Sequence, residues 1–382
     1  MKKNNKSWKL AVSLFTASTL LYSQFATALD KLDYIGEYSL PTSTSYQDIL
    51  FGGISGLYFD ADKSIYYGIS DARNTKQEGV SRFYTLTMDI NKKGIHNVNI
   101  TGMKNLLNQD GKIWPNGQVD AEGIAPTPNG KGLFWTSELG SALRITDFDG
   151  SFIADYNDVI PPYYNVLGVS DKTSNVGVRS GTSFEGVSLT PDKKNVFISV
   201  ETALKQDGPI STPLNSSPAR LLKYDANPKT NQLTLVGEYI YNIDPIPEVS
   251  EFAVNDNGVS DILAINDHQL LFIERAGRNA SKGYDDWDFN IRVYLADITN
   301  STNIKGIDTL SNIKEKSQFQ PIMKKLLIDF SDYTDTPDNV EGITFGPIID
   351  GHKTLVFVTD NNFQPYQSNK FYVFIDSKDI LK

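Results

Sequence analysis

The 382-residue chain contains no cysteine, only three histidines and four methionines. Without cysteine there can be no disulfide, no thiolate nucleophile, no zinc–thiolate site and no lipid carried on a thiol. The histidines are scattered, with His268 and His352 in turns and His96 in the stretch GIHNVNI. That scarcity removes a histidine-phosphatase mechanism and argues against a Ser-His-Asp triad. Walker A, Rossmann, EF-hand and nucleophile-elbow signatures are missing too. Past the N-terminus, no window approaches the roughly 18 apolar residues of a membrane-spanning helix. Positive charge is also short, with 36 Lys and Arg against 46 Asp and Glu and a net charge of −10. A chain this acidic is a poor partner for nucleic acid or an anionic membrane and a good host for cations.

What is present begins with an export signature. MKKNNKSWK carries four lysines and no acid, LAVSLFTASTLL is largely apolar, and Ala26-Thr27-Ala28 has the small-x-small form of a cleavage site. Residues 1–28 are therefore expected to be a secretory signal peptide. Its removal takes away four positive charges, so the formal charge moves from −10 to −14. Residues 29–382 are expected to form a single domain, periplasmic or secreted, large enough to bury a core without staples.

Helical periodicity is scarce. Short runs rich in Val, Ile, Tyr and Phe, such as SIYYGIS (64–70), GLFWTS (132–137), NVFISV (195–200), QLLFIE (269–274) and TLVFVTD (354–360), alternate with polar turn clusters. This is an all-β pattern. Residues 220–241 read as a hairpin, and only 308–327 reads as a helix or an irregular patch. Five copies of a strand–turn–strand–acid unit are visible, at 54–71, 122–138, 185–201, 260–274 and 341–360. Successive copies start 68, 63, 75 and 81 residues apart. Units of this length that bury their faces against neighbours predict a β-propeller, with the two chain ends sharing one unit to close the circle. Five blades are visible, and the two longest intervals leave room for a sixth. A β-helix is the alternative, but its repeats are far shorter.

Three copies open on Glu-Gly and a β-branched residue: DAEGI, FEGV and NVEGI. Each hairpin turn lies midway between that Glu and a second acid, with turn centres at Gly130, Lys193 and Asp350-Gly351. Antiparallel pairing then brings both acids to the open end of the hairpin. If the first strand lines the propeller axis, Glu122, Glu185 and Glu341 converge there, with Glu138, Glu201, Glu274 and Asp360 slightly behind. The glycine lets backbones pass closely. Carboxylates this close repel unless some are protonated or a cation neutralises them. With only hard oxygen ligands on offer, Ca²⁺ is expected first and Mg²⁺ second. The expected metal ligands are Glu122, Glu185, Glu341, Glu274 and Asp360, with Glu201 or Glu138 as base. The plainer alternative is that each Glu closes a blade by accepting backbone N–H groups from its neighbour.

Cations and amides beside the acids are candidates for holding an anionic ester substrate: Arg179, Arg220, Arg275, Lys205 and Asn361. Scaffold ion pairing is the alternative for each cation. Trp114 and Trp287, in polar loops, are expected to line a cleft.

The set DAEGI, SFEGVSLTPD with VETAL, LLFIER, and NVEGITFGP followed by TLVFVTDNNF resembles the phytase-like family described as having esterase-like activity. The resemblance runs in order from about Ile54 to the C-terminus. It implies a propeller, export, and hydrolysis of a phosphoester or a carboxylic ester. Two copies depart from the Glu-Gly pattern, at Ser55-Gly56 and Ser260-Asp261. A calcium-dependent lactonase of the regucalcin and gluconolactonase type, and a non-enzymatic ligand- or protein-binding propeller of the cell envelope, are the alternatives.

Overall fold

Each of the five repeated units folds as the inner hairpin of a four-stranded antiparallel sheet. The computed structural model describes residues 31–140, 142–168, 173–247, 255–279, 287–314 and 317–382. The signal peptide expected at residues 1–28 lies outside the described residues.

Strand β1 (Asp33–Leu40) precedes a small hairpin, β2 (Ser45–Tyr46) and β3 (Ile49–Leu50). Blade 1 follows as β4 (Ile54–Asp60), β5 (Ile65–Ser70), β6 (Arg82–Asn91) and β7 (Gly94–Asn105). Blade 2 is β8 (Ala121–Pro126), β9 (Leu133–Ser137), β10 (Leu143–Thr146) and β11 (Phe152–Asp155). Blade 3 is β12 (Phe184–Leu189), β13 (Asn195–Val200), β14 (Ser217–Ala226) and β15 (Leu233–Ile243). Blade 4 is β16 (Asn255–Ala264), β17 (Gln269–Asn279), β18 (Trp287–Asp297) and β19 (Met323–Asp329). Blade 5 is β20 (Val340–Phe345), β21 (Thr354–Thr359) and β22 (Asn369–Ile375), and β1 pairs with β22 to complete it. The inner strands β4, β8, β12, β16 and β20 pack in that order around the axis, and β20 returns to β4.

The molecule is thus a five-bladed β-propeller closed by its own two ends. The long intervals that left room for a sixth blade are taken up by long connections, residues 201–216 between β13 and β14 and 298–322 between β18 and β19. The 308–327 patch is the irregular alternative: one 3₁₀ turn at Leu310–Asn312, with β19 beginning at Met323.

Burial explains the sequence pattern. Inner strands are covered on both faces by adjacent blades, so β9, β13 and β21 are buried at every position and read as continuous apolar runs. Outer strands such as β1 and β11 alternate between covered and exposed. Five apolar clusters form, one at each blade interface. Phe134 and Val196 meet between blades 2 and 3, and Phe197 and Phe272 between blades 3 and 4. Ile273 and Phe357 meet between blades 4 and 5, Leu57 and Val358 between blades 5 and 1, and Ile69 and Trp135 between blades 1 and 2. Each fully buried Phe or Leu contributes about 1.5–3 kcal/mol. The expected turn residues adopt positive φ, with Gly130 at 68°, Lys193 at 62°, and Asp350 and Gly351 at 50° and 90°.

Candidate active site at the axial mouth

The register of each inner hairpin positions the site. The aligned pairs at its open end are Ile54–Ser70, Ala121–Ser137, Phe184–Val200, Val259–Glu274 and Val340–Thr359. A bulge follows every one of them, adding one residue to the inner strand. Bulges of this kind re-aim a side chain. The re-aimed residues are Ser55, Glu122, Glu185, Ser260 and Glu341. On the second strand the next residues are Asp71, Glu138, Glu201, Arg275 and Asp360. Backbone bonds mark the equivalence: the N–H groups of Asp71, Glu138, Glu201 and Asp360 donate to the carbonyls of Gly53, Asp120, Ser183 and Asn339, while Arg275 aligns with Gly258.

This register corrects the place of Glu274. Arg275, not Glu274, occupies the fourth blade's axial position. Strand alternation turns Glu274 to the opposite side, where its carboxylate accepts from Tyr241 Oη (2.8 Å) and Asp244 N (3.1 Å) and pairs with Lys324. Glu274 is therefore not available as a ligand at the mouth.

The bulge glycines set how closely blades approach. A Cβ on Gly123 would lie 2.5 Å from Glu185 O and 2.7 Å from Val187 N, and one on Gly186 would lie 2.6 Å from Ile262 N. In blade 4, Asp261 takes the glycine's place. It bridges to blade 5 by accepting from Ile343 N (2.9 Å) and Ile262 N (2.8 Å).

The carboxylates gather in part: Glu122 and Glu185 lie in separate groups joined by Glu138, and Glu341 and Asp360 lie in neither. One oxygen each from Asp120, Glu122 and Glu138 lies within 4.8 Å of the others, and the same holds for Glu138, Glu185 and Glu201. Glu138 belongs to both sets. Ligands on opposite sides of a Ca²⁺ stand about 5 Å apart, at 2.3–2.6 Å each from the ion, so both sets match that span. Glu122 and Glu185 are 8% and 7% exposed, and neither carboxylate accepts a hydrogen bond among the described residues. Buried carboxylates normally have donors. Glu138 has one, from Ser183 N (2.5 Å) in the next blade, so the blade-closing reading of the repeat acid holds for this residue alongside its place in the cluster.

Arg275 faces the cluster from the fourth blade. Its Nη2 donates to Glu201 Oε1 (3.1 Å), and its guanidinium lies 3.6 Å from Glu341 and 3.7 Å from Asp256. Asn339 Nδ2 donates to Glu341 (2.9 Å). Arg73 pairs with Glu78 (2.9 Å) and approaches Asp120 (3.5 Å). The remaining acids carry raised pKa values. Burial first, then Asp120 and Glu138, hold Glu122 well above the usual carboxylate range, and burial followed by Glu122 and Glu201 does the same to Glu185. Burial raises Glu201 despite Arg275. Asp71 is raised by burial and then by Asp120 and Glu341, and Asp360 by burial and then by Asp71 and Glu341. Burial pushes Asp120 up to about 8 against the pull of Arg73, and Glu138 to about 7 against the Ser183 N–H.

The four other expected substrate ligands are tied into the scaffold. Arg220 is wholly buried between Asp207 (2.6 Å) and Glu238 (3.2 Å) and also donates to Ile307 O (2.8 Å). Its guanidinium is closed to an incoming substrate. Arg179 donates to Ala203 O (3.0 Å) and Gly208 O (2.8 Å), which ties down the loop after β13. Lys205 lies in the same loop, its N–H on Gly177 O. Asn361 Oδ1 accepts from Gly53 N (3.0 Å) and Phe363 N (3.2 Å), joining blade 5 to blade 1. Trp287 lines a cleft as expected, whereas Trp114 packs against Trp135 and Arg144 in the core.

Asp120 escaped the sequence reading, whereas Asp71 and Arg73 were placed by the first copy of the repeat. Asp120 stands two residues before the repeat Glu, where the other blades have Gly53, Ser183, Gly258 and Asn339, so repetition gave no signal for it.

Fold and mouth define a propeller whose axis carries a buried, under-compensated group of carboxylates. The chain belongs to the phytase-like family described by esterase-like activity of phytase, which matches residues 49–363. No curated protein sequence matches the chain. Among solved structures it is similar to the periplasmic gluconolactonase of Pseudomonas aeruginosa, with 10% identity, 86% of each chain covered and a TM-score of 0.35. It is also similar to regucalcin, a calcium-binding protein from Agrobacterium tumefaciens, with 10% identity, 86% and 92% coverage and a TM-score of 0.34. A structure of the GH130 mannoside phosphorylase family aligns with 10% identity, 91% and 94% coverage and a TM-score of 0.43.

Proposed function

We propose that this protein is an exported hydrolase of phosphoesters or carboxylic esters whose chemistry requires a divalent cation at the axial mouth. The observation that carries the reading is the pair Glu122 and Glu185: nearly buried carboxylates without donors, inside two overlapping sets of ligand-spaced oxygens. Their donor set is all hard oxygen, which suits Ca²⁺ first and Mg²⁺ second. Glu122 and Glu185 would hold the ion, with Glu138, shared by both sets, and Asp120 beside it. When bound, such a cation polarises the ester or phosphoryl oxygen and acidifies a water.

The chain's own groups supply the rest. Glu201 is fixed by Arg275 Nη2 and is the proton acceptor for an attacking water, with Glu138 the alternative base. Arg275 is the one cation among the ten axial positions, and it offsets negative charge developing on the reacting group. Glu201 and Glu341 hold that guanidinium between the third and fifth blades. Family membership supports an ester substrate. The basic, apolar stretch in residues 1–28 supports export, and among the described residues no helix is long and apolar enough to cross a membrane.

Metal analysis of the exported protein and a panel of phosphoester, carboxylic ester and lactone substrates test the reading. Turnover should vanish with chelator and return with Ca²⁺ or Mg²⁺. Full activity in chelator refutes the cation requirement. Turnover of lactones alone moves the reaction to lactone hydrolysis, and no turnover on any class leaves a binding propeller.

A further inference from the structure

We propose that the groove running outward from the mouth along blade 4 is a subsite for a neutral, hydroxylated ring, the sugar portion of the substrate. The inference rests on the hydrolase reading only for where the scissile ester lies. Strands β17 and β18 extend past the axial position, from Arg275 to Asn279 and back from Trp287. The ribbon they form walls two adjoining cavities of about 550 and 280 Å³, in the size range of small-molecule sites. The two cavities share Trp287, Phe289, Tyr366 and Gln367, and the smaller reaches Arg275 and Glu341 at the mouth. A ligand held in the groove therefore continues directly to the reacting centre.

The lining names the ligand. Trp287 and Phe289 are stacked, with ring centroids 6.2 Å apart and an interplanar angle of 19°. The indole packs closely on the Gly277 backbone, where a Cβ would lie 2.8 Å from Asp256 Oδ1 and 3.2 Å from the Trp287 ring. An aromatic face is electron-rich and attracts the weakly positive C–H hydrogens on the flat side of a saturated ring. Around it stand amides, Asn362, Gln364 and Gln367, each able to donate and accept toward neighbouring hydroxyls. Of the groove's cations, Arg278 pairs with Asp288 (2.9 Å), and Lys370 Nζ is tied down on Thr336 O (2.7 Å) without losing its charge. Asp335 and Asp338 add further negative charge. A polyphosphorylated ring would need a cationic wall here, whereas a neutral glycosyl group meets an aromatic floor and amide edges.

Binding can be measured without turnover. Purified protein in excess chelator is titrated calorimetrically with maltotriose, cellotriose and chitotriose, and separately with myo-inositol hexakisphosphate. At least one saccharide should bind, and Trp287→Ala should weaken it about tenfold while Trp287→Phe retains it. Gly277→Ala, which crowds both Asp256 and the indole, should weaken binding likewise. Circular dichroism and melting temperature confirm that each variant is folded. Absence of binding by all three saccharides, equal binding by folded Trp287→Ala, or binding of the hexakisphosphate alone overturns the proposal. Saccharide binding without turnover on any ester retains the subsite and removes the hydrolase reading, so the two failures are distinguishable.

Discussion

Stripping divalent cations should make this protein lose stability as pH rises from about 5 to about 8, the reverse of ordinary acid denaturation. Folded Glu138 keeps its proton to about 7 and folded Asp120 to about 8, where the ordinary values are 4.5 and 3.8. Between those limits the folded state binds more protons than the unfolded state, so unfolding becomes easier with each step upward in pH. The stabilising protons are fully present below the ordinary values and gone above the folded ones. For Glu138 alone, a change from 4.5 to about 7 at 1.36 kcal/mol per unit comes to about 3 kcal/mol. With an unfolding entropy near 0.7 kcal/mol per kelvin for a chain of about 350 residues, that lowers Tm by about 4 °C. Asp120, Glu122 and Glu185 act in the same direction. The assay is thermal unfolding across this range in chelator and again with millimolar Ca²⁺ or Mg²⁺. In chelator Tm should fall with pH. With cation the fall should disappear, because an ion that binds only the folded state stabilises it. Glu138→Gln should flatten the chelator curve. A Tm that rises or stays level in chelator and is unmoved by either cation would refute a repulsive, cation-neutralised mouth.

Glu185→Gln removes a donorless buried carboxylate, so in chelator the variant should melt above wild type at about pH 8, by about 1–2 kcal/mol, while cation affinity falls at least about tenfold and hydrolysis is lost; calorimetry and the ester assay check both. Arg220→Met leaves Asp207 and Glu238 buried without their cation and should cost about 3–5 kcal/mol in denaturant unfolding. At a temperature where it remains folded its KM for a small ester should be unchanged, which separates an internal ion pair from a substrate ligand.

The fold was legible because a propeller repeats. The spacing of five strand–turn–strand units encoded the closed ring, and continuous apolar runs marked the strands covered on both faces. That Glu122 and Glu185 stand at the mouth beside Glu138 and Glu201 was legible for the same reason, because antiparallel hairpins with fixed turns bring their ends together, although Glu341 lies outside both ligand-spaced groups. What escaped was anything decided by one residue of register. LLFIER shows an acid near where other copies have one, yet Glu274 pairs with Val259, the place held by Ser70, Ser137, Val200 and Thr359 in the other blades, so Arg275 is the axial residue and Glu274 goes to Lys324. The acid stands one residue early in this copy, and only the pairing register reveals it. Arg220 looked like a substrate ligand because its partners, Asp207 and Glu238, come from a loop and an outer strand whose approach only packing decides. Asp120 was invisible because a single blade carries it.

That one-residue shift gives the mouth its direction. Four blades contribute Ser55 and Asp71, Glu122 and Glu138, Glu185 and Glu201, and Glu341 and Asp360, while the fourth contributes Ser260 and Arg275. Five-fold repetition alone would make the opening uniformly negative, equally hostile to an anionic ester from every side. With Arg275 set between Glu201 and Glu341, the negative potential peaks across blades 2 and 3, where the ligand-spaced oxygens lie, and is relieved toward blades 4 and 5. The same blade extends its ribbon and carries Trp287. An ester approaching along that ribbon would meet the aromatic floor first, the guanidinium next and the carboxylate cluster last. On the proposed hydrolase reading, polarity from the carboxylate side to the ester side follows from blade 4 departing from the repeat, and restoring the repeat with Arg275→Glu should abolish anionic-ester turnover while leaving divalent-cation binding measurable by calorimetry.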